Sequence, residues 1–238
     1  MKDTAFIAPI NKRILIITGH YGSGKTEFSV SLALKLAENN VTGYKRIALV
    51  DLDIVNPYFR SRERKELLEK AGISVYGDFF GGDITAEIPA LSADFRTPLE
   101  DKDCFTIIDV GGNDAGARTL HQLDKYLNSG EHLLLSVVNA NRPGTGDIEG
   151  ATEHLTAIEY ELGTNIDGII SNCHLITETT ADTVKKGHYL CTQLSEITGK
   201  PLFCDCYPEP LVDPSELSDI DGYKMPLGMY LRERWLDK

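Results

Sequence analysis

The sequence has no long apolar run. Its most hydrophobic stretches, such as Ile14 to Ile17 and Leu133 to Val138, fall far short of the roughly 20 residues that cross a bilayer, which argues against an integral membrane protein. Positive charge is also scarce: 24 Lys and Arg face 36 Asp and Glu, a formal net charge of −12. A chain this acidic is poorly matched to nucleic acid or to an anionic membrane surface, and any anionic ligand needs a local site that overrides the global field. Disulfide-framework spacing is missing as well. The five cysteines, Cys104, Cys173, Cys191, Cys204 and Cys206, are odd in number and read as reduced thiols. Met1 to Ile10 lacks the apolar core of a signal peptide, so a cytoplasmic location is expected. No repeat, low-complexity tract or Pro/Ser-rich linker divides the chain, and its 238 residues, 42% apolar and 25% charged, are read as a single domain over 1–238.

What is present is an alternation of short β-rich runs and helical stretches. Strands are predicted at Arg13–Thr18, Arg46–Asp51, Ile73–Tyr76, Cys104–Val110, His132–Asn139, Ile166–Asn172 and Leu202–Tyr207. Most are continuous apolar runs, as expected of strands buried on both faces. Helices are predicted at Glu27–Asn39, Phe59–Ala71, Asp147–Leu162 (with Asp147 or Thr145 as N-cap) and Ala181–Thr198. This order implies a three-layer α/β fold: a mostly parallel sheet of about seven strands with helices on both sides. Gly77–Leu99 is the least periodic segment and is read as a lid or insertion.

The strongest chemical signal is Gly19-His20-Tyr21-Gly22-Ser23-Gly24-Lys25-Thr26, a complete G-x-x-x-x-G-K-[ST] between an apolar strand and an amphipathic helix. Glycines let backbone N–H groups turn toward phosphate oxygens, and the helix N-terminus adds positive potential. Lys25 reaches the β- and γ-phosphates, and the Thr26 hydroxyl ligates Mg²⁺. Gly19, Gly22, Ser23, Gly24, Lys25, Thr26 and the following Glu27 are therefore the candidate nucleotide-binding residues of this block. Acids end two other predicted strands, in Val50-Asp51-Leu52-Asp53 and in Ile107-Ile108-Asp109-Val110-Gly111-Gly112. Ligands of open α/β sheets sit at such carboxyl ends. Asp109 is the candidate Mg²⁺ carboxylate, and the Gly112 N–H is a candidate γ-phosphate donor.

These blocks, with Ser171-Asn172 and Cys206-Tyr207-Pro208-Glu209 further on, resemble the MinD/ParA/CobQ-type branch of P-loop NTPases, across most of the chain. The resemblance implies a P-loop NTPase fold and a Mg²⁺-dependent ATPase that works as a nucleotide-dependent homodimeric switch on a protein or metalloenzyme partner. It places Asp51 near the metal and gives Asp53 the attacking water. Asn172, with the backbone around Tyr207 and Pro208, is placed at the base. ATP is expected rather than GTP, because Asn172-Cys173-His174-Leu175 lacks the lysine and aspartate of a guanine-reading N-K-x-D. One position departs from the pattern: where the family carries a second lysine reaching across the dimer, this chain has His20, mostly neutral at pH 7. Arg118 and Arg142 are the candidate substitutes for that charge. Relatives that act as small-molecule kinases or ATP-dependent synthetases need no such lysine, so that activity is the alternative. A third reading is a non-catalytic nucleotide-binding metal carrier.

Three further features read as structural. Cys204-Asp205-Cys206 offers two thiols on one face of a strand, too few for a closed tetrahedral site. The basic residues Arg60, Arg62, Arg64 and Lys65 are interleaved with Glu63, Glu66 and Glu69, as on a solvated helix. The tail Leu227–Lys238 mixes Arg232, Arg234 and Lys238 with Glu233 and Asp237 and is expected to pack on the domain rather than bind a membrane.

Overall fold

The computed structural model describes residues 12–39, 42–52, 64–77, 95–111, 120, 123–127 and 129–231. Strands β1 (Ile14–Gly19), β2 (Arg46–Asp51), β3 (Ile73–Gly77), β4 (Cys104–Asp109), β5 (His132–Val138), β6 (Gly168–Ser171), β7 (Leu202–Pro208) and β8 (Lys224–Leu227) form one sheet in the order β3-β2-β4-β1-β5-β6-β7-β8. Every pairing is parallel. The helices are α1 (Lys25–Asn39), α2 (Lys65–Lys70), α3 (Arg96–Glu100), α4 (Asp124–Leu127), α5 (Ile148–Leu162) and α6 (Ala181–Thr198).

The period-two alternation of β1 explains its burial on both sides. Leu15 and Ile17 enter one core with Phe28, Leu32 and Leu36 of α1. Ile14 and Ile16 enter the other with Leu155 and Ile158 of α5 and Leu194 of α6. Helices therefore cover both faces of the sheet, and the three-layer architecture follows. Asp147 is the N-cap of α5: its Oδ1 accepts from the Gly150 N–H at 2.9 Å. Thr145 is not the cap; it lies in a 3-10 turn and donates its hydroxyl to the Asn139 carbonyl at 2.8 Å.

Seven strands lie where the sequence places them, and β8 is an addition. Lys-Met-Pro-Leu is too short and too interrupted to read as a strand, yet Met225 and Leu227 turn inward and are buried. Pro226 is tolerated because β8 is the sheet edge, where one side needs no ladder donor. The predicted helix Phe59–Ala71 is described only from residue 64, where α2 carries the solvent-facing pairs Lys65–Glu69 and Lys70–Glu66. Arg60 and Arg62 lie outside the described residues, as do residues 78–94 of the irregular segment. The end of that segment is ordered structure: Phe95 and Leu99, beside and within α3, are both 1% exposed. No described helix is long and apolar enough to cross a membrane.

Candidate functional site

β1 ends in Gly19, paired in register with Val137, and the chain then turns through His20–Gly24 into α1. The turn is closed by a hydrogen bond from the Ser23 N–H to the His20 carbonyl at 3.1 Å. Gly24 adopts φ +86°, and a Cβ there would stand 2.3 Å from Nδ2 of Asn172, so only glycine fits. Asn172 uses that amide to donate to the Ser23 carbonyl at 2.8 Å. Lys25 is 6% exposed and donates from Nζ to the His20 carbonyl at 3.3 Å, and Thr26 is 8% exposed at the first turn of α1.

The two described carboxylates meet beside this loop. Asp51 and Asp109 are register partners across the β2–β4 ladder, and the Leu52 N–H donates to the Asp109 carbonyl at 2.8 Å. Each lies two residues after a side chain of the α1-side core, Leu49 and Ile107, so alternation puts both carboxylates on the face that α1 covers. Asp51 is 6% exposed and Asp109 fully buried. Two carboxylates and the Thr26 hydroxyl are an all-oxygen, hard donor set that fits Mg²⁺, an ion usually held by one or two carboxylates together with phosphate and water. Among the described residues no group of three or more His, Cys, Asp or Glu gathers into a metal site. Asp53, Gly112 and Arg118 lie outside the described residues.

A cavity of about 220 Å³ opens over the loop. It is lined by Gly22, Gly24, Lys25 and Thr26 of the loop and by Arg142, by Asn172 and His174, and by the apolar residues Ile176, Pro208, Leu227, Met229 and Leu231. The arrangement suits a ligand with a polyanionic head and a flat, apolar-faced body. Of the predicted base residues, Asn172 and Pro208 line the cavity. The Tyr207 ring turns instead into a small apolar cluster with Val184, Val212 and Leu217. The neighbouring backbone is already committed: the Pro208 carbonyl accepts from Leu211 and Val212, and the Glu209 N–H donates to Leu227.

Glu27 lines the cavity, but its carboxylate is held by the chain itself. It accepts from the Tyr230 N–H at 2.7 Å and the Leu231 N–H at 2.9 Å, and from Ser31 Oγ at 3.3 Å. Burial pushes its pKa up against these stabilising bonds. The Arg64 guanidinium donates to the Tyr230 carbonyl on the same segment. The described part of the tail thus packs on the domain and forms one wall of the cavity; residues 232–238 are outside the described set.

His20 packs within its own chain. Its Nδ1 lies 2.9 Å from the Tyr21 carbonyl, its ring meets that of His154 on α5 edge-on at 5.1 Å, and its Nε2 lies against Gly144. Burial, with His20 and Lys25 nearby, lowers the His154 pKa to about 4. His174 was not singled out as a site residue by the sequence. Its Nδ1 accepts from the Ile176 N–H at 3.4 Å, and burial together with Arg142 lowers its pKa to about 4. Its only signal in the sequence was its place two residues after Asn172. Cys204 and Cys206 are buried in the α1-side core. Between them Asp205, on the opposite face, pairs with Nδ1 of His188 at 2.8 Å.

No family model matches the sequence. Among solved structures, the chain is similar to the cell division protein FtsY of Thermotoga maritima (21% identity, TM-score 0.51, covering 79% of this chain and 59% of that one). It is similar to the signal recognition particle receptor FtsY of Elizabethkingia anophelis (18% identity, TM-score 0.50, 79% and 56% covered). A structure of FlhF complexed with GTP and Mg²⁺ aligns less well (15% identity, TM-score 0.46, 68% and 56% covered). The chain thus spans under three fifths of the length of each. At these identities the likeness is one of fold, and with the Gly19–Thr26 loop at the carboxyl end of β1 it shows that the chain has the three-layer fold of the P-loop NTPases.

Proposed function

We propose that the protein is a Mg²⁺-dependent nucleoside-triphosphatase of the MinD/ParA/CobQ type, using ATP and acting as a homodimeric switch on a protein partner. The observation that carries the reading is the continuity of the phosphate loop with a largely apolar-walled cavity of about 220 Å³. Lys25, drawn onto the His20 carbonyl, neutralises the phosphate charge. The N-terminus of α1 and the Gly24 N–H, whose direction is fixed when Asn172 holds the Ser23 carbonyl, bind phosphate oxygens. Thr26, Asp51 and Asp109 would hold Mg²⁺, which when bound screens the phosphate oxygens from one another. Asp53 orients the attacking water and Gly112 donates to the terminal phosphate.

Adenine is favoured over guanine by the cavity's charge. Guanine is read by a carboxylate that accepts its N1–H and N2–H; the only carboxylate among the described lining residues is Glu27, already engaged by Tyr230 and Leu231. The packing of His20 onto His154 and Gly144 favours, as second reading, a small-molecule kinase or ATP-dependent synthetase, which needs no charge reaching across a dimer. Binding and turnover of ATP and GTP, measured for wild type and Lys25→Ala, test the main reading. The expected result is ATP binding lost in the variant, with turnover stimulated by a protein rather than a metabolite. Failure of the wild type to bind either nucleotide sinks it.

A further inference from the structure

A nucleoside triphosphate brings three to four negative charges into a protein that is itself at −12. One lysine is a thin counterweight, and position 20, where the resemblance expects a second lysine, holds a histidine packed against α5. The structure offers another cation. Arg142 follows β5, and its Nε donates to the Gly22 carbonyl at 2.8 Å, laying the guanidinium flat against the phosphate loop. The fit requires glycine: at Gly22, φ +72°, a Cβ would lie 2.8 Å from Cζ of Arg142. Among the described residues that line the cavity, Lys25 and Arg142 carry the permanent positive charges. The Nη groups of Arg142 have no hydrogen bond to any described residue. The neighbouring His174 is neutral at pH 7, so it adds no charge beside the guanidinium.

We infer that Arg142 is the second phosphate-binding cation of this site, supplied within the same chain. Nε stays on the Gly22 carbonyl and fixes the side chain; the two Nη groups, in a fixed fork, face the cavity and bind phosphate oxygens. This rests on the proposed nucleotide function for the identity of the anion, and on the loop geometry for the rest. It removes the need for a partner subunit to complete the charge, so ground-state binding of the phosphate chain does not require a dimer.

The test separates phosphate binding from nucleotide binding by titrating two probes, Mg-ATP and tripolyphosphate, into wild type, Arg142→Ala, Arg142→Gln and Arg142→Lys at several salt concentrations. Thermal melting confirms that each variant is folded. Arg142→Ala is expected to weaken both probes by the same factor, about 10- to 100-fold, and to lower the salt dependence of binding. Arg142→Lys keeps the charge and is expected to recover part of the loss. Arg142→Gln can still donate to the Gly22 carbonyl but is uncharged, and is expected to bind as poorly as Arg142→Ala. Recovery in Arg142→Gln would make Arg142 a brace for the loop and overturn the inference. So would loss of ATP binding with tripolyphosphate unaffected, or no change for either probe. Wild type that binds tripolyphosphate but not Mg-ATP would instead refute the proposed ATP function and leave this inference standing.

Discussion

The side-chain amide of Asn172 donates to the carbonyl of Ser23 at 2.8 Å, joining the end of β6 to the phosphate loop across 149 residues of sequence. Because the peptide between Ser23 and Gly24 is planar and trans, fixing that carbonyl also fixes the direction of the Gly24 N–H on its opposite side. Asn172 is therefore expected to shape the loop as well as border the base. Asn172→Ala leaves a buried carbonyl unpaired, at a cost of about 1–3 kcal/mol. It should weaken tripolyphosphate binding together with ATP binding, measured by calorimetry. A residue that only reads the base would affect ATP alone.

The two loop glycines should respond differently to alanine. At Gly24 the new methyl meets Asn172 and cannot move away without breaking the Ser23 bond; at Gly22 it meets the far end of the Arg142 side chain, which can swing aside. Both carry the strain of a positive φ, about 1 kcal/mol or more. Urea unfolding is expected to show the larger loss of stability for Gly24→Ala. Gly22→Ala should remain nearer wild type in stability while binding tripolyphosphate as weakly as Arg142→Ala.

Glu27 ties the first turn of α1 to the segment Tyr230–Leu231, and its raised pKa gives that tie a pH dependence. An acid whose folded-state pKa is raised binds protons more tightly when folded. Its favourable contribution is complete below the unfolded value of 4.5 and is lost as pH rises through the folded value. Glu27→Gln should flatten the stability profile above pH 4.5, measured by urea unfolding at stepped pH. Glu27→Ala should expose the Tyr230 and Leu231 amides to hydrogen exchange, because it removes both acceptors.

His174 has the opposite sign. Its folded pKa of about 4 lies below the unfolded 6.5, so the stability it contributes is complete above 6.5 and is lost as pH falls toward 4. Fully developed, the difference is on the order of 3 kcal/mol. Proton NMR should find the His174 imidazole still neutral at pH 5.5, and His174→Asn should reduce the loss of stability between pH 6.5 and 4.

Seven of the strands and the long helices were legible because their signals are local: continuous apolar runs, helical spacing and a capping Asp147. The phosphate loop was legible for the same reason, since its chemistry is carried by eight consecutive residues. β8 was hidden because four residues containing a proline become a strand only beside β7. The walls of the cavity were hidden because they depend on contacts between distant segments. Nothing near Glu27 in sequence announces that its carboxylate will hold residues 230 and 231, and Arg142 acquires its place only through Gly22. Asp205 and His188 likewise pair across a strand and a helix, outside any motif.

The most direct test of the nucleotide reading is isothermal titration of Mg-ATP and Mg-GTP into wild type and Lys25→Ala. Wild type should bind Mg-ATP saturably and more tightly than Mg-GTP, and the loss of Lys25 should weaken ATP by about 100-fold or more. Wild type that takes up neither nucleotide, or a Lys25→Ala variant that binds ATP as tightly as wild type, would contradict it.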